Sequence, residues 1–314
     1  MSPRATNLAL FAGVPSLVLT GFVTWALPEE AAATVLAAHR AIAAALIVAL
    51  AWKWGIARRS IRRRTATRRS ASLVVGAITS VLLLVTLGLG LAWTLGVISF
   101  DQPVSYSLLN VHVFAGVALV PLLIAHAAQR SASAITRMPL ERRDALRAAA
   151  VVAGGIVLGA ALDRGDTSRR VTGSRGASDL PATIWAFDAI PAPSARPIEI
   201  LAGARRAITP AQLLALPQTE IVATLDCTSG WASTRRWSGV SLASLTEAAG
   251  HRVRVTSVTG HTATFAPDEV DGLLLATHVD GVTLTPEHGA PVRLVAPLHR
   301  GFMWVKWVAR VEVL

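Results

Sequence analysis

The chain has 314 residues, 53% of them hydrophobic and only 16% charged. Its length suits about two domains, but that balance excludes an ordinary water-soluble globule throughout. The net charge of +11 would suit nucleic acid, yet the cations gather in loops beside apolar runs, so no nucleic-acid partner is expected.

Residues 8–27, 33–56, 73–98 and 107–128 are each apolar over about the length that crosses a roughly 30 Å hydrocarbon core as a helix. A shorter run rich in Ala and Gly, 148–162, gives a fifth crossing. Between the second and third runs, KWGIARRSIRRRTATRR carries eight of the thirty basic residues and no acid. QRSASAITRMPLERRDALR, between the fourth and fifth, is also basic, whereas the turns ALPEEAAA and SFDQPVSYS carry only acidic charge. Lys and Arg in short loops stay cytoplasmic. The expectation is a multi-pass protein of the cytoplasmic membrane, in contact with lipid, its amino terminus inside and residues 163–314 outside.

The fifth run follows Arg142-Arg143-Asp144-Ala145-Leu146-Arg147. This is either a positive-inside flank or a twin-arginine export signal of the form RR-x-x-L. The second reading implies a cofactor loaded before export.

Polar residues at membrane depth are costly, so histidines there are functional candidates. His39 lies in the second span, and His112 and His126 lie in the fourth. The second and fourth spans both begin outside, which puts His39 and His112 at one depth. Neutral imidazoles on facing helices are a usual way to hold a haem b through both axial positions. Gly116, one turn after His112, leaves space on the same face. His126 is four turns deeper, and is either a ligand of a second haem or an interfacial polar residue. The matching depth on the second span falls near Lys53, a poor ligand. The spans AAHRAIAAALIVALAWKWG and NVHVFAGVALVPLLIAHAAQR resemble the four-helix membrane cytochrome b group over residues 5–130. That resemblance implies a helical bundle that carries electrons.

Beyond the linker at 163–182 the pattern turns to mixed α and β. PIEILAG, EIVATLDC, VRVTSVT, LLLATHV and PVRLVAP have the composition of strands. TPAQLLAL, with Thr209 as cap and Pro210 at the first position, is an expected short helix, and SLASLTEAAG another, capped by Ser241 and stopped by Gly250. Asp280-Gly281 marks a hairpin. No P-loop or dinucleotide fingerprint appears.

Cys227, the only cysteine, closes an apolar run and opens a loop rich in Gly, Ser and Thr. The segment LDCTSGWASTRRWSGVSLASLTEAAG resembles the cysteine region of sulfite-oxidase-type molybdopterin oxidoreductases. The end of the chain, HGAPVRLVAPLHRGFMWVKWVARVEVL, resembles the same family's second motif, and together they cover about residues 180–314. The resemblance implies a molybdenum–molybdopterin cofactor with Cys227 as the protein's metal ligand; a pterin dithiolene leaves room for one further soft donor. It also places His288, Arg293 and Lys306 near the pterin and its phosphate, with Trp304 beside the cofactor and the backbone around Val305 completing a cradle. Arg235 and Arg300, which flank the motif loops, are candidates to attract an oxyanion substrate.

The expected architecture is a membrane all-α domain (1–130), a cytoplasmic loop and fifth helix (131–162), a linker (163–182) and an α+β domain of sulfite-oxidase type (183–314). The expected function is oxygen-atom transfer, as sulfite oxidation or sulfoxide-type reduction, coupled through haem b to quinone or another electron carrier. The alternative is a non-catalytic membrane protein that uses the same fold as a scaffold.

Overall fold

The computed structural model describes residues 2–65, 70–98, 100, 107–128, 142–164, 169–183, 189–192, 196–246 and 250–314. Outside the described residues lie most of SFDQPVSYS, residues 129–141 of the second basic loop, residues 66–69 of the first, and part of the linker. The chain divides into a helical unit reaching Gly173 and a second unit made chiefly of Ser174–Leu314.

The helical unit holds α1 (Pro3–Ala26), α2 (Glu29–Thr65), α3 (Ser70–Thr94), α4 (Leu108–Ala128) and α5 (Arg142–Arg164). All five contain stretches long and apolar enough to cross a membrane. Two helices outrun the apolar runs in the sequence. α2 continues to Thr65 because IARRSIRRRT contains no Gly or Pro, and α5 starts at Arg142 because RRDALR favours helix. Leu10 and Val14 of α1, Leu46 of α2 and Leu119 of α4 form a buried core, with Leu17, Ile42, Leu50, Leu82, Leu83 and Leu123 packed on it. Their spacings of three, four and seven residues put one stripe of each helix inward. Other leucines and valines, such as Val81, Leu84 and Val157, face outward.

α5, expected as an anchor beyond a four-helix bundle, packs closely on α2. A Cβ at Gly155 would lie 2.6 Å from the Ala41 carbonyl oxygen and 2.7 Å from the Ala45 Cβ; one at Gly159 would lie 3.2 Å from the Ala41 Cα. Small residues four apart allow such contact between apolar helices, where lipid supplies no competing hydrophobic gain. The Ser2 backbone N–H donates to the Asp144 carboxylate at 3.0 Å, so α1 and α5 start at the same end. At the opposite end, the Trp93 indole N–H donates to the Gly173 carbonyl.

The second unit has two sheets. In one, β3 (Ala204–Ile208), β2 (Ile198–Ala202), β11 (Val308–Val313), β6 (Val253–Ser257) and β7 (Thr262–Phe265) follow in that spatial order. β2 and β11 run parallel, and alternate residues such as Ile198, Ile200, Val253 and Val255 are fully buried. In the other, β5 (Trp231–Ser241) bonds to β4 (Thr219–Asp226), to β1 (Arg175–Gly176) at its start and to β8 (Leu274–Val279) at its end. β10 (Arg293–Val295) and the short β9 (Val282–Thr283) flank β8. β10 and most of β8 are buried on both faces, so they read as continuous apolar runs.

The five strand segments named in the sequence form β2, β4, β6, β8 and β10. β5 was missed, since ASTRRWS looks like a polar loop. Its exposed Thr234 and Arg236 alternate with the fully buried Trp237 one step further along. The helix α6 (Pro210–Leu214) has the expected Thr209 cap, completed by the Gln212 side chain as a capping box, and α7 (Leu242–Thr246) follows Ser241 directly. Asp280 and Gly281 both have positive φ, 50° and 78°, which is the two-residue turn expected there.

Candidate functional site

Cys227 leaves the end of β4 and enters a tight turn. Its N–H donates to the Trp231 carbonyl at 2.8 Å, and its own carbonyl accepts from Gly230 N–H at 3.0 Å. Gly230 takes φ 95°, which explains the glycine in CTSGW. The thiol is free and half-buried.

A loop seventy residues further on closes over this turn. A Cβ on Gly301 would lie 3.0 Å from the Cys227 Cα and 3.1 Å from the Asp226 carbonyl oxygen, so a larger residue would push the two backbones apart by a few tenths of an ångström. Asp226 and Arg300 pair as an isolated bridge, and the Arg300 Nε stands 3.5 Å from the Asp226 carboxylate. Ser174 donates its hydroxyl to the same oxygen at 2.5 Å. Asp226 and Arg300 are 3% and 5% exposed, so this ion pair is sealed from water beside the cysteine. The sequence reading missed Asp226. A carboxylate ending the apolar strand EIVATLD was its one signal.

Arg293, 3% exposed, comes from β10. Its guanidinium lies over the Trp237 ring at 5.5 Å and the Trp304 ring at 5.8 Å. One N–H donates to the His288 carbonyl, while Nε is buried without a hydrogen-bond acceptor. Burial pushes the guanidinium down to about 10, and negative charge at Cys227 pulls the other way.

His288, Arg293 and Lys306 meet around Gly289, whose φ is 102° and whose added Cβ would lie 3.1 Å from Lys306 and 3.3 Å from Arg293. The Lys306 ammonium donates to the Thr183 and Glu287 carbonyls. His288 donates from Nε2 to the Leu180 carbonyl and accepts the Thr285 hydroxyl at Nδ1. Burial first, then Arg293 and Lys306, holds its imidazole below the ordinary histidine range against the Leu180 hydrogen bond. Trp304 is buried and donates to the His299 carbonyl, and the Val305 carbonyl accepts from Leu294 N–H. Arg235 stands apart from this group: its guanidinium is taken up by Asp280, the Ser178 carbonyl and the Ser233 hydroxyl.

This donor set suits a molybdopterin. It offers one free thiol, a buried cation beside it with an unused N–H, and a basic cluster around a glycine where no side chain intrudes. Among the described residues no group of three or more His, Cys, Asp or Glu converges as an all-protein metal site.

The helical unit carries a second candidate site. The rings of His39 and His112 are 6.3 Å apart by centroids, at 72° to each other. Their Nδ1 atoms are both engaged. Thr20 passes its hydroxyl proton to the Ser16 carbonyl, so its oxygen accepts from the His39 Nδ1 at 3.0 Å. The Thr86 carbonyl, which can only accept, takes the His112 Nδ1–H at 2.8 Å. Each neutral ring then keeps its lone pair on Nε2, as metal-binding histidines do when the other nitrogen is held. Two imidazoles at this separation, each with a free-facing Nε2 lone pair, would be able to hold one metal between them. Glycines make this approach possible: an added Cβ at Gly90 would lie 2.9 Å from the His112 ring and one at Gly21 3.5 Å from the His39 ring. Gly116 faces Thr86 instead, at 3.7 Å. His126 rests on Gly76, where a Cβ would lie 3.0 Å from the ring.

Comparison with known proteins bears on the second unit. Residues 197–314 match the family model of the oxidoreductase molybdopterin binding domain. Mitochondrial sulfite oxidase of Rattus norvegicus is 35% identical over 106 residues, covering 28% of this chain and 19% of that protein. The human enzyme is 32% identical over 115 residues, 31% and 21% of the respective chains. NADPH nitrate reductase of Mycosarcoma maydis is 45% identical over 49 residues, 16% of this chain and 5% of that one. The chain thus spans about a fifth of the length of the sulfite oxidases it matches. Among solved structures, the sulfane dehydrogenase SoxCD of Paracoccus pantotrophus aligns at 27% identity and a TM-score of 0.35, over 38% of each chain. That score is too low to read a shared fold from it. Cys227, Arg235, His288, Arg293, Arg300, Trp304, Val305 and Lys306 all fall inside the segment that matches the model of the oxidoreductase molybdopterin binding domain.

Proposed function

We propose that the chain is a membrane-bound molybdopterin-dependent oxidoreductase coupled to haem b. The observation that carries the reading is Cys227 set beside buried Arg293 and the His288–Lys306 cluster, within the segment that matches the family model. Cys227 would supply the thiolate ligand. His288, Arg293 and Lys306 would hold the pterin and its phosphate, with the Val305 backbone and Trp304 closing that side. A bound molybdopterin supplies two-electron oxygen-atom transfer, to or from a small substrate such as sulfite or a sulfoxide. The protein's part would be to present Cys227 to the metal, whose coordination would hold it as the thiolate, and to hold its turn through Gly301 and the Asp226–Arg300 pair. Arg300 would hold the thiol turn through its pair with Asp226, while Arg235 would act on an oxyanion at a distance through the local field.

In the helical unit, His39 and His112 would ligate one haem b, which serves as a one-electron relay to quinone or another carrier. Basic loops inside and acidic turns outside support an amino terminus in the cytoplasm and a catalytic unit outside it. The test is metal and pigment analysis of the purified full-length chain with three variants. Stoichiometric molybdenum and a haem b Soret band are expected. Cys227→Ser should lower turnover at least a thousandfold and keep the haem. His39→Ala and His112→Ala should each remove the same haem. Full activity in Cys227→Ser would rule out the thiolate-ligand reading, and a chain with neither cofactor would favour the scaffold alternative.

A further inference from the structure

The loop that closes over Cys227 is fastened on its far side as well. The His299 ring reaches Glu269, whose carboxylate lies 3.1 Å from Nε2. A carboxylate only accepts, so Nε2 carries the proton in that contact. The second Glu269 oxygen accepts the Ala266 N–H at 2.7 Å, which fixes the carboxylate on the short turn Pro267–Gly272. Edge-on, the His299 ring meets the fully buried Phe265 at 5.3 Å between centroids. Three residues further on, the Phe302 carbonyl accepts from His261 Nε2 at 2.9 Å, and the two rings lie 4.8 Å apart.

Every backbone carbonyl from His299 to Phe302 is occupied. That of His299 accepts the Trp304 indole N–H at 3.1 Å. Those of Arg300 and Gly301 accept the N–H groups of Met303 and Trp304, at 2.8 and 3.1 Å, and that of Phe302 goes to His261. A loop paired so completely shifts as one piece, and a tie at one of its residues is felt at the others.

His299 therefore reaches two neighbours of the cysteine site. Its chain runs directly into Arg300, paired with Asp226, and Gly301, packed on the Cys227 Cα. Its carbonyl holds Trp304, whose ring lies 5.4 Å from the Trp237 ring and 5.8 Å from the Arg293 guanidinium. The residue just before it, the exposed Leu298, takes φ 67°. A leucine side chain is crowded in that left-handed region, so the conformation persists only where its surroundings impose it. The adjacent tie to Glu269 does so.

We propose that His299 is a positioning residue for the thiol turn. Its hydrogen bond to Glu269, aided by His261 on Phe302, holds the loop in its strained form, with Gly301 down on Cys227 and Trp304 beside Arg293. Loss of that bond lets Leu298 relax and the loop lift, and the thiol loses its fixed direction. The inference deepens the proposed function, in which that direction is the one presented to the metal, and rests on it only in that respect.

Cys227 is the only cysteine, so iodoacetamide alkylation of the full chain, prepared without molybdenum, reads this position alone. Lifting the loop exposes the thiol turn, and the rate is expected to rise about fivefold in His299→Ala. Two further variants separate the hydrogen bond from the ring. His299→Phe keeps a ring against Phe265 but has no donor; it should react as fast as His299→Ala, and it serves if the smaller residue disturbs folding. His299→Gln offers a donor near the place of Nε2 without a ring, and should stay close to wild type. Leu298→Gly, which adopts φ 67° without crowding, should bring the His299→Ala rate most of the way back. A wild-type rate in His299→Phe or a fast rate in His299→Gln overturns the proposal, and so does a His299→Ala rate that Leu298→Gly leaves unchanged. In the molybdenum-loaded wild type the thiol should be protected. Equal reactivity with and without the metal would sink the ligand role of Cys227 and leave the His299 tie standing, because the tie is read in the metal-free chain.

Discussion

The two units hold their candidate sites by different means. In the helical unit, each ligand is fixed by its own register and by a small residue on the neighbouring helix: His39 by Thr20 and Gly21, His112 by Thr86 and Gly90. In the sheet unit, Cys227 owes its setting to residues far away in sequence, namely Gly301, Arg300, Arg293 and Ser174. A helix carries its geometry locally. A sheet site exists only once distant strands have paired. Errors should therefore be graded in the first unit and abrupt in the second.

The sharpest way to break that contrast is Asp226→Asn. The substitution leaves the Arg300 guanidinium buried without its counter-charge, which costs about 3–5 kcal/mol in comparable pairs. We expect the sheet unit to lose about that much stability, read by thermally ramped proteolysis of the full chain, with the haem spectrum unchanged. A loss under about 1 kcal/mol would mean that Arg300 is held by other groups and that the pair is not the clasp on Cys227.

A smaller effect is expected from one methyl group in the bundle. Gly90→Ala places a Cβ 2.9 Å from the His112 ring, whereas Gly116→Ala meets only the Thr86 methyl at 3.7 Å. The first should at least halve haem content per chain and the second should leave it intact. Equal haem in both would show that helix register alone, without the glycine floor, positions the ring.

The smallest effect is a pH slope. The folded state keeps His288 below its ordinary value, with burial the leading cause. Unfolded chains take up that proton near 6.5, so the unfolded state binds more protons as pH falls from about 6.5 toward the lowered value. Stability is then lost on acidification. The melting temperature of the sheet unit should drop between pH 7.5 and 5.5, and His288→Gln should flatten the drop. A slope unaffected by the substitution would move the cause elsewhere.

The sequence made the helical unit largely legible. Five apolar runs and the depth of His39, His112 and His126 follow from length and spacing, and the structure brings the first two together. The glycines that seat them were not legible, because a glycine in an apolar helix looks the same whether it faces lipid or a ring. In the sheet unit the strands with strong alternation could be read directly. β5 could not, since exposed Thr234 and Arg236 stand between buried Trp231 and Trp237. Cys227 stood out only through resemblance. Nothing local to Asp226 says that its partner lies at position 300, because that pairing is a property of the closed fold.

The close seat of α5 on α2 also bears on biogenesis. Gly155 and Gly159 cover α2 at Ala41 and Ala45, a few residues from His39. Those glycines leave the ribosome 110 residues after Ala45, an interval of about 5 to 20 seconds at ordinary rates of synthesis. Throughout that interval the flank of α2 beside the ligand histidine has no helix on it. The candidate histidine site is thus made before the cysteine site, and its wall is completed by the last helix to enter the bundle.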